Sequence, residues 1–68
     1  MKVSTGDVIY ALRKGRGLTQ EQLSVQMNVS TVAVSKWENE ISMPDISMLC
    51  NLADYFEVTV DELLGRKT

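Results

Sequence analysis

The chain has 68 residues, enough for one domain near the lower size limit for independent folding. It has no histidine and a single cysteine, so an intrachain disulfide and a Cys/His metal cluster are both excluded. No apolar run is long enough to span a bilayer or to act as a signal peptide, which leads us to expect a cytoplasmic location.

The charge is unevenly distributed, although its net value is only −2. Residues 1–36 carry five basic and two acidic side chains, a net of +3, whereas residues 37–68 carry two basic and seven acidic ones, a net of −5. A basic first half would suit a polyanionic partner. The simpler alternative is that both halves are ordinary solvated surface.

The first two predicted helices have clear start signals. Ser4 followed by Asp7 resembles a capping box and predicts a helix from about Thr5 to Lys14, ended by the Gly-Arg-Gly of residues 15–17. A second capping box, T-x-x-Q at 19–22, predicts a helix over residues 20–27 with Leu23 and Met27 on its inner face.

A turn and a short third helix follow. Asn28 tolerates a positive φ, and Ser30 is a natural N-cap for a helix from Thr31 to about Asn39. Helical spacing places Val34 and Trp37 inside. The outward side chains are then Thr31, Val32, Ser35 and Lys36. A short helix that projects small and polar side chains fits a DNA major groove.

Two more helices complete the chain. Asp45 caps a fourth helix, and Thr59 caps a last one from Val60 to Leu64, stopped by Gly65. The inward positions of the fourth helix are predicted to be Ile46, Leu49, Leu52, Ala53 and Phe56. The sequence therefore predicts an all-α, compact five-helix bundle, one domain over residues 1–68, with a helix-turn-helix at about 20–39.

Four strings of residues in this chain resemble the Cro/Xre-type, phage-repressor-like helix-turn-helix regulators. The matching strings are ALRKGRGLTQEQLS, NVSTVAVSKWEN, MPD and VTVDELLG, in the family's order and spacing and over nearly the whole chain. The resemblance implies a lambda-repressor-like DNA-binding domain in which the second and third helices form the DNA-contacting unit. The family's small, turn and β-branched positions fall on Ser24, Asn28 and Val34, where alanine and glycine are commoner at the first two.

The resemblance also implies roles for particular side chains. Gln20, at the start of the second helix, would bind a phosphate, and the groove-facing positions are again Thr31, Val32, Ser35 and Lys36. Thr31 and Val32 cannot make bidentate contacts, but their methyl groups could contact thymine methyls, and Lys36 could reach guanine or a phosphate.

Two conspicuous side chains have structural interpretations. By resemblance Arg13 pairs with Glu38 and connects the first helix to the end of the third, rather than binding phosphate. Trp37 is expected to anchor the core, and Cys50 to be a small buried side chain.

The segment after the third helix departs from the family. Glycine and a basic or polar residue often follow the WEN motif, but this chain has Glu40 and Ile41. A carboxylate there would repel a DNA backbone, so Asn39 and Ser42 would supply that contact. Lys14 and Arg16 are the expected compensating charges.

Two classes of function follow. The first is sequence-specific binding of double-stranded DNA by a transcriptional regulator, most simply a repressor. It would act as a homodimer on a near-palindromic operator, without a cofactor, with possible control by a protein partner. The region of the last two helices is its candidate interface if the apolar residues there are exposed, and the alternative is that they complete the core. These residues are Met48, Tyr55, Val58 and Leu64. The alternative is an antitoxin-like or anti-repressor-like protein-interaction module. An enzyme is not expected, because no nucleophile–base pair or phosphate-binding glycine loop can be assembled.

Overall fold

The computed structural model describes residues 3–65, which form five helices. These are α1 (Thr5–Gly15), α2 (Gln20–Met27), α3 (Thr31–Glu38), α4 (Ile46–Phe56) and α5 (Val60–Leu63). Residues 3–65 contain no strand. The all-α, five-helix prediction is therefore confirmed, and the ends predicted for α1, α2, α3 and α5 agree within one residue.

Every helix begins at a residue whose side-chain oxygen accepts a hydrogen bond from the backbone N–H three positions later. These N-caps are Ser4, Thr19, Ser30, Asp45 and Thr59, all as predicted. In α1, α2 and α5 the bond is reciprocated, so a complete capping box is present. Each cap stabilises the fold by about 1 kcal/mol, which matters in a chain with so small a core.

The first four helices end in one shared motif. A residue with positive φ, namely Gly17, Asn28, Glu40 or Glu57, follows each helix. The next N–H then donates to the carbonyl five positions earlier, at 2.9–3.1 Å. This is the Schellman arrangement, which normally favours glycine. Two of the four positions hold glutamate instead, and a side chain in this conformation costs about 1 kcal/mol or more.

Each helix contributes one completely buried side chain to the core: Ile9, Leu23, Val34, Leu52 and Leu63. Helix α3 packs against both α1 and α2, while α5 packs against α1 and α4. Trp37 is also buried, which confirms its expected role as a core anchor. The rear of α3 is thus held by two helices, and its opposite side is left open.

Helix α1 meets the end of α3 at Gly6. A Cβ at this position would collide with the carbonyl oxygen of Trp37 and would lie 2.9 Å from that of Glu38. The absence of a side chain therefore sets how closely the two helices approach.

The two ends of the described chain also meet. Gly65 has a φ of 73°, and a Cβ on it would collide with the carbonyl oxygen of Val3. Glycine is needed here both for the backbone conformation and for the close approach.

Two sequence expectations were wrong, and a third is decided in favour of its alternative. Ile46 is exposed, because helical spacing places it at the edge of the buried face of α4. Cys50, one turn further along the same side, is exposed rather than buried. The candidate interface residues Met48, Tyr55, Val58 and Leu64 are instead half-buried and packed against the core.

The large exposed apolar side chains lie elsewhere. Those between the end of α3 and the first turn of α4 are Ile41, Met43 and Ile46. Within residues 3–65, no helix has the length and apolar character needed to cross a membrane.

Candidate nucleic-acid interface

Helices α2 and α3 form a helix-turn-helix whose geometry depends on three positions. Ser24 is buried where α3 crosses α2, and Asn28 turns the chain with a φ of 58°. Val34 is completely buried and fixes α3 against the core. These are the positions at which the family resemblance implied a small residue, a turn residue and a β-branched residue.

The outer face of α3 carries the predicted groove-facing side chains. Thr31, Val32 and Lys36 are exposed and Ser35 is half-buried, whereas Val34 and Trp37 point into the core. Val32 is 61% exposed and adds one apolar group to this polar face. The helix therefore presents two hydroxyls, one isopropyl group and one ammonium to solvent.

A network of three side chains joins this unit to α1. The guanidinium of Arg13 donates to Glu38 through Nε at 2.6 Å and Nη2 at 3.1 Å, and to the carbonyl of Leu18 through Nη1 at 2.7 Å. The side chains of Arg13 and Glu38 are only 8% and 5% exposed. Hydrogen bonding to Glu38 raises the pKa of Arg13 above its ordinary value, against the opposing effect of burial. The predicted structural pairing is confirmed.

Gln20 is the third member of this network. Its Nε2 donates to the Glu38 carboxylate over 3.0 Å, and this fixes the orientation of the amide because a carboxylate can only accept. Gln20 is also the first residue of α2, where free backbone N–H groups favour an anion. The amide keeps a second N–H that does not bond to Glu38. This placement is compatible with the predicted phosphate contact.

Hydrogen bonds also engage the two hydroxyls of α3. Ser24 Oγ lies 2.6 Å from the carbonyl oxygen of Glu21 and 3.3 Å from Thr31 Oγ1. At the other end of the helix, Asn39 Nδ2 lies 2.9 Å from the Ser35 carbonyl oxygen and 3.3 Å from Ser35 Oγ. Asn39 therefore caps α3, and a phosphate contact would use the second N–H of its amide.

The expected compensating cations lie beside aromatic rings. Lys14 Nζ is 5.9 Å from the ring centre of Tyr10, and Arg13 Cζ is 5.2 Å from the same ring. The guanidinium of Arg16 lies over the rings of Tyr55 and Phe56, at 5.1 and 5.4 Å. Arg16 is thus held against α4, so any phosphate contact would use the edge of the guanidinium that these rings leave open.

The segment after α3 shows why Glu40 can replace glycine. Glu40 adopts a φ of 60° and its side chain is exposed. The backbone N–H groups of Ile41 and Ser42 both donate to the carbonyl of Lys36, at 2.9 and 3.4 Å. Ser42 therefore has only its exposed hydroxyl for the predicted backbone contact, since its N–H closes the helix.

Several of these relationships were not predicted from the sequence. They are the orientation of Gln20 by Glu38, the bond between Ser24 and Thr31, and the position of Tyr10 beside two cations. A serine in place of the usual alanine at position 24 was the available signal, because a buried hydroxyl must find a partner.

The described residues thus define a helix-turn-helix domain with an exposed, polar second helix backed by a buried apolar face. A family model described as helix-turn-helix matches residues 9–63, and the chain belongs to this family. The resemblance to phage-repressor-type regulators is confirmed by solved structures and curated relatives.

Similar proteins include activators and repressors of transcription. The HTH-type transcriptional activator BcrR of Enterococcus faecalis is 49% identical over 57 residues, which cover 84% of this chain and 28% of BcrR. The CTXphi transcriptional repressor RstR of Vibrio cholerae is 33% identical over 54 residues, or 79% of this chain and 48% of RstR. The chain thus spans less than half the length of both curated relatives.

One solved structure shows a similar domain with DNA. The P22 c2 repressor, in complex with a synthetic operator, superposes with a TM-score of 0.89 and 31% identity, covering 96% of this chain and 98% of that one.

Proposed function

We propose that this protein is a transcriptional regulator that binds double-stranded DNA sequence-specifically, with α3 in the major groove. The supporting observation is the exposed face of α3, whose polar side chains and Val32 project from a helix anchored by Val34 and Trp37. Its dimensions and chemistry suit base edges and thymine methyl groups. The operator complex of the similar P22 c2 repressor supports the same function.

The phosphate contacts are proposed to come from around this helix. Gln20 and the N-terminus of α2 would bind one phosphate, while Lys14, Arg16 and Lys36 supply positive charge. The hydroxyl of Ser42 would add a contact after α3. Asn39 would add another through its second amide N–H, with the first shared between the carbonyl and hydroxyl oxygens of Ser35. Because Arg13 neutralises Glu38, that buried carboxylate does not oppose the DNA.

We propose that the active form is a homodimer on a near-palindromic operator. One short helix offers few base contacts, and a second copy would double them on half-sites about 34 Å apart. The exposed side chains of Ile41, Met43 and Ile46 are the candidate surface for this contact, in place of the residues inferred from sequence. Since its proposed ligand is double-stranded DNA, the proposed location is the cytoplasm.

Repression is the simplest mode of action, because occupation of an operator is enough to exclude polymerase. BcrR is named an activator and RstR a repressor. A promoter–reporter assay with the selected operator decides whether this protein activates or represses transcription. Reporter output that rises with the protein would overturn repression while leaving DNA binding intact.

The experiment that tests DNA binding is a titration against selected near-palindromic duplexes and random duplexes at two salt concentrations. Wild type is compared with Lys36→Ala, Gln20→Ala and the control Gln26→Ala, whose exposed glutamine lies on another face of α2. We expect binding to weaken steeply with salt and to fall in the first two variants, with altered sequence preference only for Lys36→Ala.

The same titration separates the alternative function. Absence of saturable binding by wild type at low salt would overturn the regulator proposal. The exposed apolar side chains would then point to a protein-interaction module of the same fold.

A further inference from the structure

We propose that the two hydroxyls of α3 have opposite hydrogen-bonding senses, Thr31 as an acceptor and Ser35 as a donor. Ser24 and Asn39 would act as positioning residues that fix these senses before DNA binds. The inference rests on the proposed function and deepens it, because it assigns a class of base to each hydroxyl.

The sense of Thr31 follows from counting protons on Ser24. A serine hydroxyl has one proton, and the carbonyl oxygen of Glu21, 2.6 Å from Ser24 Oγ, can only accept it. The remaining contact, 3.3 Å from Ser24 Oγ to Thr31 Oγ1, is then a bond in which Thr31 donates. Thr31 therefore presents only oxygen lone pairs to solvent.

The sense of Ser35 follows from the orientation of the Asn39 amide. The Ser35 carbonyl can only accept, so the atom 2.9 Å away must be Nδ2 rather than Oδ1. The same Nδ2 lies 3.3 Å from Ser35 Oγ, which must accept there. Within residues 3–65, the Ser35 hydroxyl donates to no acceptor, so its proton remains available to a ligand.

The two hydroxyls are placed to contact base pairs that lie up to two steps apart. Thr31 and Ser35 are four residues apart, so they lie on one face of α3, separated by about 6 Å along its axis. That distance is somewhat less than two base-pair steps of about 3.4 Å each.

In the major groove, adenine N6 and cytosine N4 donate, whereas guanine O6 and N7 and thymine O4 accept. We therefore assign amino-bearing bases, adenine or cytosine, to Thr31. Ser35 is assigned guanine, thymine or the N7 edge of adenine. Serine in place of the family's usual alanine at position 24 would therefore affect base specificity, although its side chain is buried and does not contact DNA.

The test compares affinities for operators carrying each base at each half-site position. The position contacted by Thr31 is identified as the one whose preference changes in Thr31→Val. There we expect wild type to favour adenine or cytosine on the strand that Thr31 faces over thymine or guanine on that strand by about 3- to 10-fold, the range of one ordinary hydrogen bond. Replacing that adenine by purine, which lacks the 6-amino group, should abolish the preference.

Ser24→Ala is the decisive variant, because alanine is small, favours helix and leaves Thr31 free to rotate. It should lower the preference for amino-bearing bases to less than about 2-fold, by allowing Thr31 to donate as well as accept. In a Thr31→Val background the same change should have no further effect on base preference. Asn39→Ala should relax discrimination at the Ser35 position and leave the Thr31 position unchanged.

Several outcomes overturn the inference. If wild type binds a specific operator but Ser24→Ala keeps its base preference, Ser24 has only a packing role. Unchanged affinity when the amino group at the Thr31 position is removed, with purine in place of adenine, would also reject it. A wild type that binds no DNA would instead reject the proposed function itself, and this inference with it. Two measurements test the orientation of the Thr31 hydroxyl without DNA. One is the thermal unfolding of Ser24→Ala, and the other is NMR detection of a protected Thr31 hydroxyl proton in wild type.

Discussion

The guanidinium of Arg13 in α1 and the carboxylate of Glu38 at the end of α3 form a two-bond ion pair that is almost entirely buried. The pair connects the helix that supports the DNA-contacting unit to the helix proposed to enter the groove. The same carboxylate also accepts from Gln20, the proposed phosphate contact. One side chain therefore couples stability to the geometry of the interface.

Removing one partner of this pair should be costly. Glu38→Ala leaves the buried Arg13 charge without its partner, and we expect a loss of about 3 kcal/mol in the free energy of unfolding. Urea denaturation at low temperature measures it, with the exposed Glu21→Ala as a control expected within about 0.5 kcal/mol of wild type. The double variant Arg13→Met with Glu38→Leu should lose less unfolding free energy than the single variants Arg13→Met and Glu38→Leu lose when their losses are added. Additive losses would show that the pair does not act as a unit.

Two glycines of α1 should respond oppositely to the same substitution. Gly6→Ala should destabilise the protein by about 1–3 kcal/mol, because the new methyl group meets the backbone carbonyls at the end of α3. Gly15→Ala has no atom within 4 Å of its new Cβ and should gain about 0.5–1 kcal/mol. Thermal denaturation of the two variants decides this, and a stabilising Gly6→Ala would contradict the observed approach of α1 to α3.

Relief of backbone strain should stabilise two other positions. Glu40→Gly and Glu57→Gly each replace a side chain held at a φ near 60°, and we expect each to gain about 1 kcal/mol. Only Glu40 follows α3, so only its loss should also strengthen DNA binding, most clearly at low salt. Glu40→Gln and Glu57→Gln keep the Cβ and separate charge from strain. Equal effects of both glutamines on affinity would argue against DNA near residue 40.

Val32 should contribute to affinity and not to stability. Val32→Ala should leave the unfolding free energy within about 0.5 kcal/mol and weaken operator binding by about 0.8 kcal/mol or more per methyl group lost from contact. Val25→Ala, an equally exposed valine on α2, is the matched control and should leave affinity unchanged. An operator with uracil in place of the contacted thymine should remove the difference between wild type and Val32→Ala. A difference that persists with uracil would exclude contact with the thymine methyl group.

The helix limits could be predicted because their signals are local. Ser4, Thr19, Ser30, Asp45 and Thr59 are each recognised from the residue type and the pattern that follows. The exposure of Ile46 could not be predicted this way, because periodicity identifies a face but not how far around the helix the covered part of that face extends.

The candidate site was predictable to a similar extent. Spacing and resemblance identified the exposed face of α3 and the pairing of Arg13 with Glu38. Periodicity gives no donor or acceptor sense, so the bonds of Thr31 and Ser35 became apparent only when the atoms around Ser24 and Asn39 were placed. The bond between Ser24 and Thr31 joins two helices, so no local pattern encodes it, whereas the bonds between Ser35 and Asn39 lie within one turn of α3.

The meeting of Val3 with Gly65 brings the points of entry and exit of the domain together. A domain whose two ends lie side by side can be inserted into a longer polypeptide with a short linker on each side. It should also tolerate circular permutation, with new ends opened in a surface turn and the old ones joined by a few glycines. A protein fused at either end would start from the same place on the domain surface. The length of its linker would then set its maximum distance from the domain.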